Sequence, residues 1–401
     1  MAVDLGSLPE RRLLPRQPRH WRWCVVILLC SLVVGGLMVL LWRVDSWHTS
    51  LWFWSCTLLG PLILGLVFYA LRLSAYEKHR DYIESWNESR DELEQSLIRC
   101  GQRTVAVLGV SYCSGSGNNQ LAQALRLGSK PLQPIYLEGQ ALTMRLSQLI
   151  PSAQSHSKSE YIQRLHEFLN QVVRTLESDL EAGARGLAVD VRIKHNQVLC
   201  NEELLSIWSA VTTDSRLTDR VVFAMDDDGV MWLDAWLDDP ERHQLLVSVE
   251  INLFLDPVAE QAETVTAVLL GSSEWCIAQK IDSIALVHRP VQLECPGRSI
   301  KDAVTDAFLW GQLRVGEETY FSWQAQVPGD VLRETSIAVN AARFPFNVAR
   351  CHRLDDSFGL PGCAVGNVAL IVASECAKAE GGPQVVLLQD ASAQIFIVRP
   401  A

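Results

Sequence analysis

The sequence predicts a two-helix transmembrane hairpin joined to a layered α/β domain. Three observations carry this. The apolar residues are concentrated between Trp21 and Leu73, where two uncharged runs lie close together. Beyond them, apolar and polar residues alternate in strand-like and helix-like periods up to the last residue of the chain. Across the 401 residues, 48% are hydrophobic and 20% charged, a balance that suits a folded chain and argues against extensive disorder.

The first run, Cys24 to Trp42, and the second, Leu51 to Leu71, carry no charge. A helix rises about 1.5 Å per residue, so each is long enough for a hydrocarbon core of about 30 Å. Pro61 falls inside the second run and predicts a kink there. Trp21, Trp23, Trp42, Trp47, Trp52, Trp54 and Tyr69 sit where aromatic rings settle at the interfaces. No small-x-small cleavage site precedes Arg43, and a second full span follows at once, which favours an uncleaved anchor over a signal peptide. Arg11, Arg12, Arg16, Arg19 and Arg22 precede the first run and Arg72, Lys78 and Arg80 follow the second, whereas the connecting loop holds only Arg43. Positive charge favours the cytosolic side, so both termini are expected in the cytosol of a bacterium, with the hairpin in its inner membrane. This divides the chain into a basic segment (1–22), the hairpin (23–73, spans 24–42 and 51–71), a juxtamembrane helix (74–101) and a cytosolic α/β domain (102–401).

In the juxtamembrane helix, Tyr76, Ile83, Trp86, Leu93 and Leu97 form one stripe, suited either to a partner or to the protein's own core. Thr104–Val110 is a buried-strand pattern followed by SYCSGSGNNQ and a helix from Leu121. A phosphate loop needs GKS/T or full GxGxxG spacing; neither is present, so the turn reads as a plain connection. An amphipathic helix is expected over 162–180 and further helices over 202–211, 300–312, 330–342 and 363–378. Strands are expected over 186–193, 220–224, 244–254, 264–270 and 284–288, with a closing hairpin at 384–388 and 393–398. Alternation of this kind predicts layers around a largely buried sheet.

Chemistry-bearing patterns are sparse. The net charge of −11 argues against a nucleic-acid partner, which needs a basic field. The eleven cysteines form no CxxC pair and, with the nine histidines, no zinc-type spacing, so they read as reduced thiols and no metal or cofactor is expected. Asp226-Asp227-Asp228 before Gly229 suits a solvated turn better than a cation site.

Several stretches over residues 220–401 resemble the C-terminal half of thiolase-like enzymes, the fold of β-ketoacyl synthases. Glu263–Leu270 (ETVTAVLL) is similar to a strand that carries a glutamate in that family, and Asp355–Ala379 to the glycine turn opening a late buried helix. Gly362, Ala364 and Gly366 would let that helix approach a neighbouring backbone closely. The resemblance implies a histidine in the turn, and aligned on FGLPGCAVG this position is Leu360, which neither donates a hydrogen bond nor holds charge. A second histidine motif of the HGTGT type is absent, Cys113 lacks a histidine partner in its motif, and Cys363 lies in the glycine turn. No catalytic residue is therefore assigned. The whole layout, and Met231–Leu253 in particular, also resembles proteins encoded beside type VI secretion genes. That resemblance implies a non-catalytic adaptor with the bilayer and a secretion effector, chaperone or spike component as partners, homodimerisation being left open. The alternatives are a membrane-associated acyl-transfer enzyme and an immunity or scaffold protein acting through its spans. Deleting everything after Gly101 separates the last from the others.

Overall fold

The computed structural model describes residues 3, 5–41, 51–137, 142–152, 157–183, 187–224, 228–239, 242–295, 297–315 and 319–401. It divides into two compact units, Asp4–Leu97 and Ile98–Ala401, the latter with Met1–Val3.

In the first unit, α1 (His20–Leu41) is apolar around its whole circumference and buries no residue. α2 (Leu51–Trp54) runs through a π-turn, Ser55–Leu59, into α3 (Gly60–Gly101). The π-turn lies just ahead of Pro61. A proline has no N–H, and its ring presses on the carbonyl four residues back, so widening the preceding turn relieves the clash. α1 and α3 approach closely at Gly65, where a Cβ would come 2.9 Å from the Ile27 side chain. Both helices are long and apolar enough to cross a membrane. A further helix of that length and composition, Gly362–Glu380, is apolar for another reason: 72% of its window is buried inside the second unit.

α3 is one continuous helix of 42 residues, about 63 Å long, so the second apolar run and the juxtamembrane helix are a single element. Part of its stripe, around Tyr76 and Trp86, meets the protein's own N-terminal segment, while Leu93 stays exposed. Asn87 clasps the main chain of Arg12, accepting from its N–H at 3.0 Å and donating to its carbonyl at 3.0 Å. The Arg12 guanidinium lies 4.0 Å from the Trp86 ring centroid, and Arg11 pairs with Asp91 at 2.8 Å. Arg90 reaches the Pro9 carbonyl, and Ile83 beneath is 5% exposed. Two of the arginines that set the charge bias, Arg11 and Arg12, are thus also fasteners of a strap.

In the second unit, β1 (Thr104–Ser114) leads to α4 (Leu121–Arg126) and a separate hairpin, β2 (Gln133–Leu137) and β3 (Leu142–Leu146). α5 (Lys158–Gly183), β4 (Val189–His195), α6 (Asn201–Val211), α7 (Arg216–Asp219), β5 (Val221–Phe223), α8 (Trp232–Asp238), β6 (Leu245–Asn252) and β7 (Thr264–Ser272) follow. Then come α9 (Ser273–Gln279), β8 (Ala285–His288), β9 (Val291–Gln292) and α10 (Ile300–Trp310). The chain closes with β10 (Phe321–Ala325), α11 (Gly329–Ala341), β11 (Cys351–Arg353), α12 (Leu354–Ser357), α13 (Val365–Glu380), β12 (Gln384–Gln389) and β13 (Ala393–Pro400).

The mixed main sheet runs β11-β10-β12-β13-β8-β1-β7-β6-β4-β5, with β9 paired to β13. It contains one pattern twice. β5 and β6 flank β4 in parallel and β7 runs antiparallel beside β6; β11 and β12 flank β10 in parallel and β13 runs antiparallel beside β12. Successive side chains on a strand point to opposite faces, and here both faces are covered. Val265, Ala267 and Leu269 of β7 pack with α5 and α6, while Val268 and Leu270 join the cluster around α13. Ile397 of β13 meets Gly311 at the end of α10, and its neighbours Phe396 and Val398 face the α13 cluster. The α13 helix therefore lies between strands of both repeats, which makes a layered α/β/α/β/α domain. The predicted amphipathic helix is α5, with Leu165, Leu169, Val172, Val173, Leu176 and Leu180 all buried. Strands β10 and β11 and helix α8, outside the elements expected from sequence, complete the two repeats.

Candidate functional site

In a sheet of parallel strands the polar chemistry collects outside their carboxyl ends. On the face of β6 turned to α13 the side chains run Leu246, Ser248, Glu250, Asn252, becoming polar toward that end; the same face of β4 carries Arg192 and Lys194, and that of β7 Thr264 and Thr266. All are buried or nearly so. From the second repeat the turns Leu360–Ala364, Gln326–Pro328 and Gln389–Ala393 come to the same place.

Here the two repeats are stitched together. Lys194 on β4 is ion-paired with Asp390 in the β12–β13 turn, and Asp390 also accepts from the Gly229 N–H at 2.8 Å. Gln394 accepts from Val230 N–H at 2.9 Å and donates to the Asp228 carbonyl at 2.8 Å. Glu250 accepts from the Asn367 N–H at 2.7 Å and faces Arg192 at 3.3 Å. Burial raises the Glu250 carboxyl above its usual range, against the pull of Arg192 and Lys194. Gln326, in left-handed backbone conformation (φ 59°), accepts from Gly362 N–H at 2.9 Å and donates to the carbonyls of Gly362 and Gln389. Gly366 opens α13 against Gly229 so closely that a Cβ would lie 2.8 Å from the Gly229 carbonyl oxygen. The heads of Lys194, Asp390, Gln394, Glu250 and Gln326 are turned to other parts of the protein, while Ser248 Oγ, Thr264 Oγ1 and Asn367 Oδ1 are buried there without a hydrogen-bond partner.

The residues singled out from sequence are placed as follows. Leu360 is half-buried and works through its backbone, donating to Glu260 and accepting from Ala262 at 2.8 Å each. Cys363 donates to the Ile251 carbonyl at 3.1 Å. Cys113 is buried in β1, where burial pushes its thiol up to about 12, and its hydrogen-bond partner is Gln171. His352 lies on β11, five strands away from β1 in the sheet, stacked 4.8 Å from Trp323. These three side chains are not brought together. Glu263 is locked to Arg164 at 2.9 Å, both almost fully buried, and accepts from the Leu149 N–H. Its role is to fasten β7 to α5. Gly362 has φ +57° and its Cα faces the Asn252 side chain, so there the predicted close approach is met by glycine alone. Asp226 and Asp227 lie outside the described residues, whereas the Asp228 carbonyl accepts from Met231 in a turn. Among the described residues no three His, Cys, Asp or Glu side chains gather as metal ligands do. The Lys194–Asp390 pair and Gln326 went unread because their partners are remote in sequence.

No protein-family model and no curated protein matches the sequence. Solved structures do match the fold. A β-ketoacyl synthase from Burkholderia phymatum STM815 is 10% identical, with 75% of this chain and all of that chain covered and a TM-score of 0.55. Ketosynthase twelve of the bacillaene polyketide synthase of Bacillus amyloliquefaciens is 9% identical, covering 75% of this chain and 74% of that chain at 0.53. The module 1 ketosynthase of the bacillaene synthase of Bacillus amyloliquefaciens FZB42 is 8% identical, covering 75% and 76% at 0.52. The α/β domain thus has the layered, thiolase-like ketosynthase fold with a mixed sheet.

Proposed function

We propose that the chain is a membrane-anchored, non-catalytic adaptor that keeps a ketosynthase-type fold without its chemistry. One observation carries the reading. Where the carboxyl ends of the two repeats meet, Lys194, Asp390, Gln326, Gln394 and Glu250 are spent on one another and on backbone groups. A nucleophile with a positioned base is what covalent acyl chemistry requires. The neighbouring His195 pairs instead with Asn201 at 2.9 Å on α6. The apolar α1 and α3 support a two-span hairpin as the anchor. The strap adds to the charge bias: contacts between residues 9–15 and 76–91 support a topology with the segment before the first span and the segment after the second on one side of the membrane. Together with the charge bias this favours both termini in the cytosol, at a bacterial inner membrane.

For the partner, the similarity of Met231–Leu253 to proteins encoded beside type VI secretion genes favours a secretion effector, its chaperone or a spike component. Affinity capture of the tagged full chain from membranes in mild detergent tests this; recovery of no such component removes the secretion partner. The ketosynthase likeness favours a second reading, an acyl-transfer enzyme at the membrane. Under that reading, replacing Cys113, Cys363 and His352 singly abolishes function in at least one case; unchanged function in all three excludes it.

A further inference from the structure

At the end of α13 away from the stitched turns lies a cavity of about 730 Å³, walled by α4, the last turns of α13 and the β10–β11 edge. The Phe321 ring and His352, stacked with Trp323, line it, with Ala122, Leu127, Ala349 and Ala379 adding apolar wall. The Arg126 guanidinium lies 4.7 Å from the Phe321 ring centroid, and Arg350 lies over the same ring at 5.0 Å. Lys378, also in the lining, is exposed and makes no ion pair among the described residues.

Of the two carboxylates of the lining, one faces into the fold and the other is paired with Arg126 itself. Glu375 accepts from Tyr112 Oη at 2.6 Å and from the Ala122 N–H at 2.8 Å, facing into the fold. Glu380 pairs with Arg126 at 2.6 Å, but both are partly exposed, and such surface pairs are readily exchanged. One polar atom of the wall is left over: Nε2 of His352 is buried without a hydrogen-bond partner.

We infer that this cavity binds an organic anion carrying a flat ring, the ring lying against Phe321 and His352 and the anionic group meeting Arg126 and Lys378. A guanidinium held over an aromatic face suits both parts of such a ligand, because it stacks on a ring and donates two parallel hydrogen bonds to a carboxylate or phosphate. An apolar concavity with a few convergent polar groups is the general form of a small-molecule site. The site is separate from the stitched turns and does not depend on the adaptor reading.

The test is calorimetric titration of the full chain in nanodiscs with 1-naphthoate, uncharged 1-naphthalenemethanol and acetate, empty nanodiscs being subtracted. Saturable binding of 1-naphthoate, at least about tenfold tighter than either control, is expected. R126A is expected to weaken it about tenfold and K378E about threefold or more. Melting temperatures identify a variant that fails to fold, and Lys378, being exposed, then decides alone. Equal binding of acid and alcohol, no saturable binding of 1-naphthoate at millimolar concentration, or unchanged affinity in K378E overturns the proposal.

Discussion

The two repeats of the α/β domain share strand order and strand direction yet differ in the helix that precedes their third parallel strand. In the second repeat this is α13, 16 residues with 12 of them buried. In the first it is α8, seven residues with Leu233, Asp234, Trp236 and Leu237 buried. The difference shows where the fold tolerates loss. α13 is enclosed by strands of both repeats and supplies the apolar centre, whereas α8 reaches only part of its sheet. The faces of β4 and β6 turned to α13 are correspondingly polar, held by Arg192, Lys194, Glu250 and Asn252 rather than by apolar packing. Charge pairing across the repeats thus does on this face what apolar packing does around α13.

Breaking that stitching tests the comparison most severely. Asp390→Ala takes from Lys194, 2% exposed, the carboxylate that ties it to the second repeat, and is expected to cost about 3 kcal/mol in denaturant unfolding of the full chain in detergent. A paired apolar replacement, Lys194→Met with Asp390→Leu, is expected to recover most of it. A large loss in the double variant would show that the pair does more than fill the space.

The two helices can be compared directly by truncating one leucine in each. Leu370→Ala in α13 is expected to cost about 4 kcal/mol and Leu233→Ala in α8 about 2, since the site enclosed on all sides relaxes least around a cavity. Both leucines are 1% exposed or less, so burial alone predicts equal losses, and equality would break the distinction drawn between the helices.

A smaller effect is expected at the seam, where His288 on β8 is buried and its pKa is lowered to about 4 by burial and by Arg399. The native state then binds fewer protons than the unfolded chain between that value and 6.5, so stability falls as pH drops through the window. Lowering the pH from about 7.5 to about 5 is expected to remove about 2 kcal/mol, and His288→Phe to abolish that part of the dependence in parallel pH-stability curves. The smallest effect lies outside both repeats: Asn87→Ala removes the clasp on Arg12 and is expected to cost about 1 kcal/mol, read as faster hydrogen exchange over residues 9–15.

Most helices and strands were legible because period and burial coincide. α5 shows its one apolar stripe at helical spacing, whereas β6, β7 and α13 are buried on every side and were legible as long, mostly apolar runs. β10 and β11 were not, for a physical reason: FSWQA mixes polar and apolar residues that are all buried, and CHR is only three residues long, so neither shows a period. The strap was not legible either. Arg11 and Arg12 read as topological charge, while their docking on Asp91, Asn87 and Trp86 depends on a helix some 70 residues later in the chain.

By itself, then, the sequence determined the apolar helices long enough to cross a bilayer, the layered α/β class and the leucine at position 360, because length, period and side-chain type are local properties. Only the tertiary structure decided that the two repeats share one plan, that Lys194 answers Asp390, and that Arg126 and His352 border one cavity. Those pairings join residues tens to hundreds of positions apart, and no local pattern records which remote group will satisfy a buried charge.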